Sequence, residues 1–75
     1  MVTIGELVQK GKSRLEDGDF EEALAFFDQA LLQDQTDPDL WNLKGVTLRS
    51  MGRYDEAVEC FNKSLELDPR DKQAS

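Results

Sequence analysis

Displacing the 75-residue chain by 34 residues lays it over itself without a gap. Lys10-Gly11 then meets Lys44-Gly45, Gly18 meets Gly52, and Phe20 meets Tyr54. Glu22-Ala23 falls on Glu56-Ala57, Phe27 on Phe61, Leu31 on Leu65, Asp34 on Asp68 and Asp37 on Asp71. Conservative pairs fill in between: Ser13 with Thr47, Glu21 with Asp55, Leu24 with Val58, Asp28 with Asn62 and Ala30 with Ser64. Self-similarity at a fixed period of this length marks a chain built from one stacked unit. The fold must therefore satisfy the same pattern twice, with repeat 1 at about residues 4–37 and repeat 2 at about 38–71 of a single domain, 1–75.

Each unit reads as two helices. Thr3-Ile4-Gly5-Glu6 has capping-box spacing, and the first helix runs to about Asp17, where Gly18 stops it in the left-handed conformation. Asp19-Phe20-Glu21-Glu22 opens the second helix with acids at its positive end. Phe20, Ala23, Leu24, Phe27, Ala30 and Leu31 recur at three-four spacing and so form one buried stripe. Asp37-Pro38 starts the third helix, aspartate as cap and proline in the first turn. Gly52 ends it. Tyr54, Ala57, Val58, Phe61, Ser64 and Leu65 repeat the stripe in the fourth, and Asp68-Pro69 closes the unit. Residues 70–75 are too few for another helix. The expected fold class is all-α.

What stabilises so small a chain is constrained by its composition. A domain of this size buries only roughly 60% of its unfolded surface. Cys60 is the single cysteine and there is no histidine, which excludes an internal disulfide and a conventional zinc site. Regular helix packing, a partner, or both must do the work. Gly11 and Gly45 fall inside helices, where glycine costs about 1 kcal/mol relative to alanine. They are expected to let a neighbouring helix come close, as are Ala23 and Ala57, with Phe27 and Phe61 filling the space between.

The net charge is −7, which argues against nucleic acid and anionic membrane surfaces as partners. Residues 1–37 carry nine acids and three bases, residues 38–75 seven and six, so the first half is the acidic one. No apolar run reaches spanning length. Met1 to Lys10 lacks the pattern of a signal peptide, and the expected location is cytoplasmic.

The second copy, with Trp41, Lys44-Gly45, Leu48, Gly52, Tyr54, Ala57, Phe61 and Pro69, resembles a tetratricopeptide repeat. The first copy resembles it more loosely, through Leu7, Gly11, Gly18, Phe20, Ala23, Phe27 and Ala30. Departures occur at Lys10 and Lys44, where leucine is common, at Arg14, where an aromatic or leucine is common, and at Gln35, which replaces the closing proline. The resemblance implies an antiparallel helix pair per repeat, stacked into a right-handed superhelix of four antiparallel helices. It also implies a concave face lined by the first helix of each pair, receiving an extended peptide or a partner helix. By position, the concave residues are Val8, Lys12 and Leu15 from repeat 1 and Asn42, Val46 and Arg49 from repeat 2. That mixture suits a peptide with a hydrophobic anchor and a carboxylate. A lysine–asparagine–arginine clamp for chaperone tails is not supported, since Leu43 and Val8 stand at its asparagine and first lysine positions and no third repeat is in the sequence.

Other constellations have simpler readings. Arg14, Arg49 and Arg53 stand near helix C-termini, where cations are favourable without any partner. Trp41 reads as packing within its repeat. Cys60, with no cation nearer in sequence than Lys63, reads as a small hydrophobe rather than a redox switch. Asp34, Asp37 and Asp39 begin like a calcium loop but lack its glycine and closing glutamate, which leaves them turn and cap residues. Glu21-Glu22 and Asp17/Asp19 have no nucleophile, histidine or phosphate loop beside them, so no enzyme and no cofactor is expected.

The expected function is a non-enzymatic scaffold that binds a protein or peptide on the concave face. A structural alternative follows from the repeat count, because two units fall short of the three usually needed for a continuous core. The fourth helix would then expose Val58, Cys60 and Leu67, and the chain would form a homodimer through it or belong to a longer solenoid.

Overall fold

The computed structural model describes residues 2–68 and contains four helices: α1 (Ile4–Asp17), α2 (Phe20–Gln33), α3 (Pro38–Ser50) and α4 (Tyr54–Leu67). The chain is all-α, and its helices stack in sequence order, α1 on α2, α2 on α3 and α3 on α4. Pro69 and the end of repeat 2 lie outside the described residues.

The helix limits follow from local chemistry. Thr3 caps α1 by accepting from the Glu6 amide at 3.2 Å. The return half of the capping box differs from expectation: the Glu6 carboxylate lies 3.5 Å from the Thr3 hydroxyl instead of taking the Thr3 amide. Gly18 ends α1 at φ 85°, its amide donating to Leu15 and the Asp19 amide to Arg14. Gly52 takes φ 81° beyond α3. Asp37 caps α3 by accepting from the Asp39 amide at 2.9 Å, with Pro38 in the first turn.

Two clusters make up the core. Leu7 of α1, Ala30 and Leu31 of α2 and Leu40 of α3 form one. Leu48 of α3 with Ala57 and Cys60 of α4 form the other. Trp41 packs against both, so it joins the two repeats rather than serving one alone. Its indole Nε1 donates to the Gln35 carbonyl at 2.8 Å, fixing the turn between α2 and α3 at the position that lacks the usual proline. Lys44 crosses the same seam, with Nζ 2.8 Å from Asp28 of α2 and 5.9 Å from the Trp41 ring centroid. Ser64 ties α4 to the start of α3 by donating to the Pro38 carbonyl at 2.9 Å.

The small residues are where the pattern required them. A Cβ on Gly11 would stand 2.5 Å from the Phe27 ring, and one on Gly45 would stand 2.7 Å from the Phe61 ring. Ala23 and Ala57 are both buried. No described helix is long and apolar enough to cross a membrane.

Candidate partner-binding face

Residues spaced i, i+4, i+7 share one side of a helix. Val8, Lys12 and Leu15 therefore form a stripe along α1, and Asn42, Val46 and Arg49 form its counterpart along α3. Burial within each stripe is graded: Val8, Leu15 and Val46 are half-buried, while Lys12, Asn42 and Arg49 are exposed. Val8 packs against the cluster that contains both Leu7 and Leu40, which anchors the α1 stripe to the core it shares with α3. The outcome is a surface with apolar patches at its base and polar tips above them.

Among the described residues some cations are paired with carboxylates and others, Lys10, Lys12, Arg49 and Lys63, are not. Lys44 is held by Asp28, Arg53 by a two-pronged contact with Glu56 at 2.5 and 2.8 Å, and Arg14 approaches Glu22 at 4.0 Å. The Glu56 hydrogen bond, followed by the charges of Glu56, Asp28 and Glu21, holds the Arg53 guanidinium above its ordinary range and lowers the Glu56 carboxyl in return. Lys12 and Arg49 form no ion pair among the described residues. Arg49 has a different neighbour, with its guanidinium carbon 5.9 Å from the centroid of Phe61 on α4. At that range a cation–π contact contributes about 0.5–1 kcal/mol at an exposed site. Arg49 thus stands at the edge between the α3 stripe and α4.

Of the residues expected to form a self-association patch, Val58 lies on the side of α4 opposite Cys60 and Leu67. Val58 is 54% exposed, Leu67 is half-buried, and Cys60 is 5% exposed in the core with Leu48 and Ala57. The correction has a geometric reason: residues two apart on a helix point to nearly opposite sides. Burial pushes the Cys60 thiol above the ordinary range, with Lys44 opposing the shift only in part.

The open face of α4 consists instead of Tyr54, Val58, Phe61 and Leu65. The repeat could have revealed it, since these are Phe20, Leu24, Phe27 and Leu31 moved on by 34. The α2 residues are covered: Phe27 is 0% and Leu31 6% exposed, and Leu24 packs against the cluster of Leu48, Ala57 and Cys60. On α4, Tyr54 is 63% exposed, Val58 54%, and Phe61 and Leu65 only half-buried.

The aspartates behave as turn and cap residues. Asp34 accepts from the Thr36 amide at 2.9 Å and from its hydroxyl at 2.6 Å. Those bonds, the hydroxyl's first, hold its carboxyl below the ordinary range. No cluster of potential metal ligands occurs among the described residues.

Comparison with known proteins agrees with the fold of two helical repeats. The tetratricopeptide repeat family models match residues 7–39 and 38–71. An uncharacterized protein of Methanocaldococcus jannaschii is 41% identical over 51 residues, covering 68% of this chain and 59% of the relative. The tetratricopeptide repeat and J domain-containing co-chaperone of Fusarium oxysporum f. sp. lycopersici is 33% identical over 66 residues, covering 88% of this chain and 13% of the relative. The peroxisomal targeting signal receptor of Saccharomyces cerevisiae is 31% identical over 51 residues, covering 68% of this chain and 8% of the relative. The chain thus spans less than two thirds of each of these relatives.

Proposed function

We propose that this chain, which belongs to the tetratricopeptide repeat family, is a non-enzymatic scaffold that binds a peptide or helix of another protein on the face formed by α1 and α3. The observation that carries this reading is the composition of the two stripes. Half-buried Val8, Leu15 and Val46 offer dry contact area, while Lys12 and Arg49 are cations with no carboxylate opposite them among the described residues. In a molecule of net charge −7, Lys12 on this face and Arg49 at its edge, neither in an ion pair among the described residues, favour an acidic or carboxylate-bearing ligand. Such complementarity sets specificity and association rate more than raw affinity. The names of two relatives, a co-chaperone and a targeting signal receptor, support a protein partner in general.

The test begins with a displayed peptide library selected on the wild-type chain. A selected peptide is then titrated calorimetrically against Lys12→Glu and Arg49→Glu variants. Affinity should fall about tenfold or more, equivalent to about 1.4 kcal/mol, and the loss should shrink as salt rises. A selected peptide bound equally well by both variants would remove the α1/α3 face from consideration.

A further inference from the structure

The exposed stripe on α4 has a worked example of its own occupancy inside the same molecule. On α2, the equivalent stripe Phe20, Leu24, Phe27 and Leu31 meets α3 at Leu24 and Leu31. Leu40 meets Leu31 in one cluster, and Leu24 packs against the cluster that contains Leu48. Along the flank of that stripe, the acidic edge of α2 is met by cations of the second repeat. Lys44 bonds Asp28 at 2.8 Å, and Arg53 lies in the field of Asp28 and Glu21. Moving on by 34 residues repeats the apolar stripe on α4 but changes its flank, where Asp55 stands for Glu21, the neutral Asn62 for Asp28 and Glu66 for Leu32. Tyr54, Val58, Phe61 and Leu65 form the stripe, and Asp55, Asn62 and Glu66 form the flank. Asp55 and Glu66 are exposed and have no ion pair among the described residues.

We propose that the Tyr54–Val58–Phe61–Leu65 face of α4 is a second docking surface, distinct from the α1/α3 face, and that it takes a basic amphipathic helix of a partner protein. The helix lies across α4 as α3 lies across α2, with an apolar seam on Val58, Phe61 and Leu65 and its cations toward Asp55 and Glu66. An amphipathic helix laid along a hydrophobic face is a recurrent recognition mode.

A second copy of this chain fits poorly in either orientation. Stacked head to tail, it would present Glu6, Gln9, Lys10 and Ser13 of α1, all exposed and polar, where α3 presents Leu40, Leu43, Lys44 and Thr47. Paired about a two-fold axis, it would set α4 against itself and bring Asp55 and Glu66, the acids beside the stripe that form no ion pair among the described residues, toward those of the other copy. An isologous contact opposes the same surface to itself, so those acids would repel.

The probe is a synthetic peptide with the sequence of residues 37–53, the helix that performs this role on α2. It is titrated into the isotope-labelled chain and followed by amide chemical shifts, alongside a peptide with glutamate at the places of Lys44 and Arg53. We expect saturable shifts at Tyr54, Val58, Phe61 and Leu65, and at least a tenfold loss of affinity for the charge-reversed peptide. The same loss is expected for the Val58→Asp chain and for the Glu66→Lys chain, whose exposed position leaves folding undisturbed. Shifts confined to Val8, Lys12 and Leu15, or no saturable shift, would overturn the proposal. So would equal affinity for the two peptides, or line broadening without peptide that rises with concentration and maps to α4, the sign of a second copy. Lys12→Glu leaves this binding unchanged, which separates its failure from that of the α1/α3 face.

Discussion

Gly11 lies so close beneath Phe27 that a methyl group on it would stand 2.5 Å from Cε1, 2.8 Å from Cζ and 2.9 Å from Cδ1 of the ring. Phe27 is fully buried and cannot swing away. The glycine therefore sets the distance between α1 and α2, and Gly45 under Phe61 sets it between α3 and α4.

Substituting Gly11→Ala tests this. Helix propensity favours alanine by about 1 kcal/mol, whereas overpacking a filled core costs about 1–3 kcal/mol. With Phe27 locked, the second effect wins, and Gly11→Ala should lower the urea midpoint. Gly45→Ala should cost less, because Phe61 is half-buried and has room to yield. A raised midpoint for Gly11→Ala would show that the ring accommodates the methyl.

Much of this architecture is legible in the sequence because it is local or repeats in register. Gly18, Asp37-Pro38 and Thr3 mark helix ends through bonds spanning at most five residues, and the glycine–phenylalanine contacts occur in both copies at the same spacing. What is not legible depends on distant pairs or on angle. Nothing in the sequence joins Lys44 to Asp28, which sit on different helices, or the Trp41 indole to the Gln35 carbonyl. Arg49 reads as a concave-face cation from its position, yet its guanidinium lies by Phe61. Cys60 departs from expectation for a simpler reason. The fourth-helix stripe has two sides, Ala57 and Cys60 toward α3 and Val58 away from it, and spacing by itself does not say which side a neighbour covers.

Lys44 should prove to be a structural residue of the inter-repeat seam. Its ion pair with Asp28 is partly exposed, with side-chain exposures of 26% and 48%, and such pairs contribute about 0.2–1 kcal/mol. A double-mutant cycle with Lys44→Met and Asp28→Asn, read by urea unfolding, should give a coupling in that range that shrinks in high salt. Zero coupling at low salt would make the contact incidental.

The Asp34 turn carries a pH signature. Its folded carboxyl is held below the ordinary range, chiefly by the Thr36 hydroxyl and then by the Thr36 amide. A depressed carboxyl stabilises the fold above its unfolded value, and that contribution is lost as pH falls through the lower folded value. Thr36→Val removes the hydroxyl and keeps the amide. The Asp34 side-chain carbon, followed by NMR, should then titrate at a higher pH than in the wild type while remaining somewhat depressed. An unmoved titration would assign the shift to the backbone alone.

Cys60 should be nearly inert in the folded chain. The thiolate is the reactive form, and burial in the cluster with Leu48 and Ala57 raises the thiol above its ordinary range. Reaction with an aromatic disulfide reagent should be slow in buffer and should accelerate through the urea transition. Rapid labelling of the native chain would mean that α3 and α4 open locally.

The open α4 face makes a quantitative claim about two equivalent rings. Phe27 and Phe61 occupy the same repeat position and cover equivalent glycines, but the first is completely buried while the second is only half-buried. Truncating a fully buried phenylalanine costs about 3–5 kcal/mol, which is comparable to the whole stability available to a chain this small. Phe27→Ala should therefore leave the chain largely unfolded. Phe61→Ala should leave it folded with a lower urea midpoint, since water already reaches part of that ring and Arg49 loses only a weak cation–π contact. Circular dichroism of the two variants side by side checks the order. Equal losses would mean that Phe61 is covered in solution as fully as Phe27, and the α4 face would then be closed.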